Sequence, residues 1–165
     1  MNKNRPYTGT KDGAATGKRP GTEKLVDLCK RRYPGFSNLG TWVVRDMRGK
    51  PGQLSVHATA RAADIGYGTA KDARNNAIEL FNWLLANAAA LGIEEIHDYA
   101  FGKFGRGYRC SRADKDGGVI VYKDLASSAG TPGGTWLHVE LNPEMADDAA
   151  KFETAWRALP KPGKA

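Results

Sequence analysis

Cysteine, histidine and long apolar runs are scarce in this sequence of 165 residues. Its two cysteines, Cys29 and Cys110, cannot build a disulfide framework, and its three scattered histidines do not form a Cys/His zinc finger. No stretch approaches the roughly 18 consecutive apolar residues of a transmembrane helix, so we expect no membrane insertion. The polar stretch from Met1 to Pro6 lacks an apolar segment, so we also expect no conventional secretory signal.

The composition is that of a basic globular protein. A mass of 17.9 kDa and a hydrophobic content of 41% fit one compact domain with a core of its own. Lysine and arginine (25) outnumber aspartate and glutamate (18), which gives a net charge of +7. This excess suits an anionic partner, either nucleic acid or an acidic cell-wall polymer, and does not choose between them.

The first 21 residues differ in composition from the remainder of the chain. Residues 1–21 are rich in glycine, threonine, proline, lysine and arginine and have almost no apolar side chains. Such a segment buries too little surface to offset its ordering entropy, so we predict a flexible basic arm, either a solubilising tail or a binding arm. One folded domain is predicted over residues 22–160, followed by a tail over 161–165.

Apolar residues at helical spacing predict three helices. The first starts after Thr22 as N-cap and ends at Pro34. The second, in the middle of the chain, is capped by Thr69 and ends at Gly92. The third opens at Asn142, followed by a proline that suits the first helical turn, and runs on as one amphipathic helix.

Short apolar or alternating segments predict the strands, over residues 41–44, 93–101, 119–122 and 136–141. Glycine-rich connections separate the last three predicted strands. Helices and strands do not alternate as they do in a doubly wound fold. The predicted fold class is therefore α+β: a single domain with a small, mainly antiparallel sheet and flanking helices.

Three side chains from two distant segments form a candidate metal site. His57 and Asp64 lie in one short segment, and His138 lies in the predicted strand 136–141. A catalytic zinc takes three protein ligands from histidine nitrogen and carboxylate oxygen and keeps a fourth position open. The set can satisfy that geometry, although each histidine can equally be a hydrogen-bonded core residue.

Two motifs that contain these residues resemble those of a known peptidase family. Ser55, His57, Ala62 and Asp64 match the first motif, and His138, followed by an apolar residue and Glu-Leu, matches the second. The family is that of the zinc-dependent D-alanyl-D-alanine carboxypeptidases and L-alanyl-D-glutamate endopeptidases. It belongs with the hedgehog signalling domain and the lysostaphin-type peptidases.

The resemblance covers about residues 22–142 and implies a zinc cleft on an antiparallel sheet. It implies hydrolysis of a peptide bond in the stem peptide of bacterial peptidoglycan, with Zn²⁺ bound by His57, Asp64 and His138. Ser55 and Trp136, which shares a strand side with His138, are candidate substrate-binding residues. Arg61 is either a cleft residue that stabilises the oxyanion or holds a substrate carboxylate, or a surface arginine.

The sequence departs from the family pattern at two positions. Ala60 stands where the family usually has glycine. Thr135 stands three residues before His138, where the family has its catalytic carboxylate, and a hydroxyl cannot act as general base near neutral pH. Either Glu140 or Asp98 serves as the catalytic carboxylate instead, or the protein binds without cutting.

The leading hypothesis is a phage endolysin or virion-associated wall hydrolase, located in the host cytoplasm before release or in the virion. The alternative is a weak or inactive relative that binds wall peptide or is a structural phage protein, with other virion components as its partners. Nucleic acid is the least favoured partner, since no helix-turn-helix, zinc-finger or RNP-type signature accompanies the basic charge.

Overall fold

The computed structural model describes residues 3–128 and 131–161 and has a six-stranded sheet at its centre. The helices are α1 (Pro20–Arg32), α2 (Ala73–Ala86), α3 (Pro143–Asp147) and α4 (Ala149–Ala158). The strands are β1 (Ser37–Gly40), β2 (Asp46–Met47), β3 (Lys50–Leu54), β4 (Ala62–Gly66), β5 (Ile93–Asp98), β6 (Arg106–Arg109), β7 (Val119–Val121) and β8 (Trp136–Leu141). The α+β class predicted from the sequence is confirmed.

All neighbouring strands of the main sheet are antiparallel, in the order β1-β4-β8-β5-β6-β7. Strands β2 and β3 form a separate two-stranded sheet. The three strands β4, β8 and β5 lie side by side at the centre, so residues distant in sequence become neighbours there.

The two faces of the sheet have different environments because side chains alternate along each strand. On β8, Leu137, Val139 and Leu141 are fully buried in a core shared with the helices. Burying each such side chain stabilises the fold by about 1.5–3 kcal/mol. The alternate residues His138 and Glu140 belong to the other face and line a cleft. The helices therefore cover one face and leave the opposite face for the site.

The helix ends follow their capping residues. Pro20 opens α1, and the helix ends at Arg32, close to the predicted end at Pro34. Thr22, the predicted N-cap, lies inside the helix and donates from its hydroxyl to the carbonyl of Ala60 at 2.8 Å. Asn142 caps α3, its side chain accepting a hydrogen bond from a backbone N–H of that helix. The prediction of one C-terminal helix is wrong, because Asp148 is extended (φ −123°, ψ 98°). Its carboxylate caps α4 instead, accepting a hydrogen bond from the N–H of Lys151 at 2.8 Å.

Close approach of α1 and α3 requires the glycine at position 21. A Cβ atom there would overlap the carbonyl oxygen of Met145. The helix pair thus meets backbone to backbone, which ties the C-terminal helices to the start of the domain.

Three other predictions differ from the structure in detail. Residues 41–44 are not a strand; β1 lies just before them, and Val43 and Val44 are exposed. The second helix is shorter than predicted, since α2 ends at Ala86. Strand β6 was not predicted, because its glycine-rich surroundings resemble a loop in composition alone.

The N-terminal segment lies against the domain, which differs from the flexible arm that the sequence predicts. Arg5 donates to the carbonyl of Ala88 at 3.2 Å, and Thr8 donates from its hydroxyl to Glu94 at 2.9 Å. The N–H of Ala15 donates to the carbonyl of Ala58 at 2.8 Å. Polar contacts to buried acceptors hold the segment in place. The prediction of a flexible arm considered only its lack of apolar residues, so it did not include these contacts.

Some predictions fall on residues that the structure does not describe. These are residues 1–2 of the arm, residue 130 of a glycine-rich connection and residues 162–165 of the tail. None of the helices in the described ranges is long and apolar enough to cross a membrane.

Candidate metal centre

His57 lies in a short 3₁₀ turn, Val56–Thr59, that leads into β4. The hydroxyl of Ser55 accepts a hydrogen bond from the N–H of His57 at 3.3 Å and begins the turn. Ala60 ends it in the left-handed region (φ 57°, ψ 23°), which favours glycine. This conformation gives a physical reason for the glycine usual at that position in the family that the sequence resembles.

The register of the central strands brings the other two candidate ligands together. Asp64 on β4 lies directly opposite His138 on β8. His97 on β5 lies opposite His138 on the other side. Since directly opposite residues share a face of the sheet, all three point to the face that the helices leave free.

The ligand atoms of His57, Asp64 and His138 converge. Asp64 Oδ1 lies 2.9 Å from His138 Nδ1, and Asp64 Oδ2 lies 3.2 Å from His57 Nε2. One ligand atom from each residue falls within 4.8 Å of the others, so the group could hold a metal ion. The three predicted ligands are thus brought together.

The chemistry of the donor set fits a divalent cation. Two imidazole nitrogens and one carboxylate oxygen are ligands that zinc takes at catalytic sites. Both histidines are buried, whereas a quarter of the Asp64 side chain is exposed. The site is therefore enclosed on the protein side and open toward the cleft.

The pKa shifts show that this group favours a positive charge. Burial by itself raises the pKa of Asp64, but the hydrogen bonds and charges of His138 and His57 hold it well below its usual range. Burial likewise lowers the pKa of His138, but bonds to Asp64 and Glu140 reverse this and raise it to about 10. A bound cation would replace the proton on His138.

Glu140 orients the imidazole of His138. Its Oε1 lies 3.0 Å from His138 Nε2, so the other ring nitrogen, Nδ1, is directed at Asp64. Its Oε2 accepts a hydrogen bond from the hydroxyl of Tyr7 at 2.8 Å. Carboxylates in this position fix the orientation of metal-binding histidines and raise their basicity.

A cleft of about 940 Å³ opens above these residues. Ser55 and Trp136, the candidate substrate-binding residues, both line it. The ring of Trp136 contacts that of Tyr99, with centroids 5.1 Å apart. One wall comes from the β2–β3 hairpin and the other from residues 120–128, so the candidate ligands lie at the base of an open groove.

Asp98 does not line the cleft, so the prediction that it is the catalytic carboxylate does not fit the structure. The side chain is fully buried. Its Oδ1 pairs with Arg74 at 2.7 Å and its Oδ2 with Arg106 at 3.1 Å. Arg106 in turn lies 3.9 Å from the ring centroid of Phe81, on α2. Alternation along β5 explains this placement: His97 faces the cleft, so Asp98 faces the helices.

Arg61 is likewise not at the cleft, so neither role predicted for it fits the structure. Its side chain is fully buried, which excludes a surface arginine. It donates to the carbonyl of Leu141 at 2.7 Å and pairs with Glu94 at 3.3 Å and Asp12 at 3.2 Å. These contacts connect the N-terminal segment to β5 and β8.

The sequence does not indicate that several further residues line the cleft. The sequence gives His97 no recognisable partner, yet its Nδ1 lies 2.7 Å from the hydroxyl of Tyr122. Its Nε2 lies 3.6 Å from Glu95, and its ring centroid lies 5.5 Å from that of His138. Alternation places Glu95 and His97 on one face, but only the strand order places that face beside His138. Tyr7 carries no sequence signal at all.

Glu95 is ionised in its buried position. Burial raises its pKa, but His97 and Arg109 outweigh the burial and lower it to about 2. Arg109 donates to both carboxylate oxygens, at 2.8 and 3.1 Å. Both residues line the cleft.

Comparison of the chain with protein-family models, with curated proteins and with solved structures gave no match. The indications of what the chain does are therefore its two motifs and the geometry of this site.

Proposed function

We propose that the protein is a zinc-dependent peptidase that hydrolyses peptide bonds in the stem peptide of bacterial peptidoglycan. The observation that carries the proposal is the convergence of His57, Asp64 and His138 at the base of an open cleft. The two sequence motifs that contain these residues support it independently. The net charge of +7 suits an anionic wall, in keeping with a phage lysin or a virion-associated hydrolase.

Zinc is the ion we assign to the site, held by His57, Asp64 and His138. A bound zinc ion polarises a carbonyl and lowers the pKa of water. Glu140 holds His138 in the orientation that directs Nδ1 at Asp64. Ser55 and Trp136 line the groove in which a peptide would lie.

The proton acceptor is one of two groups beside His138. Thr135 is exposed and has no carboxylate. Glu140 faces the cleft, although both of its oxygens already accept hydrogen bonds. His97 faces the same cleft from β5. Replacing each by its neutral or non-basic counterpart, Glu140→Gln and His97→Gln, separates the two by the loss of kcat measured at saturating zinc.

Metal analysis and zymography test the proposal. Purified protein should contain about one zinc per chain, and His57→Ala should abolish binding. Gels containing peptidoglycan should clear around the wild type, and a chelator should prevent clearing until zinc is restored. Protein that is folded but binds no zinc, or zinc-loaded protein that releases no peptide product, would contradict the proposal.

A second candidate function is binding of wall peptide without hydrolysis. The observation that favours it is Thr135, an exposed hydroxyl where the family pattern has a carboxylate. Under this reading the zinc-loaded protein sediments with purified peptidoglycan but releases no new amino or carboxyl termini. Release of termini that depends on zinc would exclude it.

A further inference from the structure

The charges that line the cleft are distributed unequally between its floor and its rim. Each of the four acidic residues that line the cleft has a hydrogen-bond or ion-pair partner. Asp64 contacts His57 and His138, and Glu140 contacts His138 and Tyr7. Glu95 pairs with Arg109, and Asp46 accepts a hydrogen bond from the N–H of Gly52. Four cations remain, and we call Arg45, Arg48, Lys50 and Arg112 the cationic rim.

The cationic rim has no carboxylate partner within residues 3–128 and 131–161. Most other arginines pair with an aspartate or glutamate, as Arg74 and Arg109 do. Arg5 is an exception, but it donates to backbone carbonyls. The arginines left without such partners, Arg45, Arg48 and Arg112, all line one cleft. Arg45 donates only to the carbonyl of Asp46, at 3.2 Å.

The rim cations lie on both sides of the metal ligands. Arg45 and Arg48 belong to the wall that leads into Ser55, whose N–H donates to the carbonyl of Arg45 at 3.0 Å. Arg112 lies just after β6, across β8 and β5 from the strand that carries Asp64, and it lines the same cleft.

The walls between these cations carry apolar side chains. Met47 on one wall and Ile120 and Leu125 on the other are exposed, at 37, 43 and 69%. Exposed apolar groups that border charged ones are typical of a ligand groove. The ligand that matches both features has carboxylates near its ends and small apolar groups between them.

We propose that the cationic rim selects peptides with free carboxylates on both sides of the bond above the metal ligands. Arginine binds a carboxylate through two parallel N–H donors, which an amide cannot match in charge. The substrate class is therefore an acidic stem peptide, and the same peptide with its carboxylates amidated is a poor ligand. This inference rests on the proposed peptidase function and names its specificity.

Calorimetry with two synthetic stem peptides, one with free carboxylates and one fully amidated, tests the inference. The full chain is used without added metal, so that binding is measured and hydrolysis does not interfere. The free acid should bind at least about tenfold more tightly at low ionic strength, and the difference should shrink in 0.5 M salt because exposed charges are screened. Equal affinity for the two peptides overturns the inference.

Paired variants distinguish an effect of the cationic rim from an effect of the protein's net charge. Arg48→Ala with Lys50→Ala should remove most of the preference, and so should Arg112→Ala. A matched control is Lys71→Ala with Lys103→Ala, which removes the same charge from exposed positions that do not line the cleft. A similar loss of preference in the control pair overturns the inference.

The outcomes distinguish this inference from the proposed function. Hydrolysis without preference for the free acid overturns the rim inference and leaves the peptidase proposal standing. Preferential binding of the free acid without hydrolysis supports the rim inference and overturns the peptidase proposal. Tight binding of duplex DNA that is lost in the Arg48/Lys50 variant, with no binding of either peptide, overturns the rim inference in favour of nucleic acid.

Discussion

Glu140 contacts His138 at Nε2, the ring nitrogen that is not beside Asp64, at a distance of 3.0 Å. Glu140 follows the candidate ligand by two residues on the same strand face, so it fixes the ring from the face that lines the cleft. The affinity of the site for a metal ion should therefore depend on the residue at position 140.

Replacing Glu140 by glutamine should weaken zinc binding by about 10- to 100-fold, because His138 loses the acceptor that orients it. Competition with a chromophoric chelator measures the affinity. Glu144→Gln is the matched control, since Glu144 is two-thirds exposed on α3. Unchanged zinc affinity with lost hydrolysis would instead assign Glu140 to proton transfer.

Tyr7→Phe should lower zinc affinity several-fold, because Glu140 loses the hydroxyl that holds its second oxygen. The lost hydrogen bond should also lower the free energy of unfolding by about 1 kcal/mol. Tyr33→Phe removes a comparable bond, from its hydroxyl to Glu79 at 2.7 Å, away from the site. That control should lose similar stability and keep its zinc affinity; equal zinc affinities in the two variants would show that Tyr7 is only structural.

Asp98→Asn should lower the free energy of unfolding by about 3 kcal/mol, because two arginines then lose a fully buried carboxylate. Urea unfolding measures the loss, with the exposed Asp116→Asn as control. The folded variant should bind zinc and cleave as the wild type does. Loss of cleavage at full zinc occupancy would restore Asp98 as a catalytic candidate.

Stability should fall in acid partly because of Glu95. Its pKa is about 2 in the folded protein against an ordinary 4.5, so the unfolded chain binds more protons between these values and stability rises with pH there. The stabilisation is complete above pH 4.5 and is lost as pH falls toward 2. Glu95→Gln should reduce the slope by up to about 1.4 kcal/mol per pH unit, measured by urea unfolding from pH 2 to 5. Parallel curves for wild type and variant would contradict this.

The sequence was informative where the signal is local. The alternation in β8 and the N-cap Asn142 depend on neighbours in the chain, and the structure has them as expected. Thr22, predicted as the N-cap of the first helix, lies inside α1 instead. The break at Asp148 was missed because an aspartate is compatible with a helix surface, and its capping role shows only once α3 has ended.

The resemblance of the two motifs to those of a known peptidase family predicts which residues form the candidate metal group, because residue type and spacing alone leave His57 and His138 open as ordinary core residues. Only the tertiary structure decided what surrounds them. Strand order and register put His97 beside His138, and contacts across the fold brought Tyr7 to Glu140. They also turned Asp98 and Arg61 away from the cleft. Local patterns are set by bonded neighbours, whereas the direction and partner of a side chain depend on residues that meet only when the chain has folded.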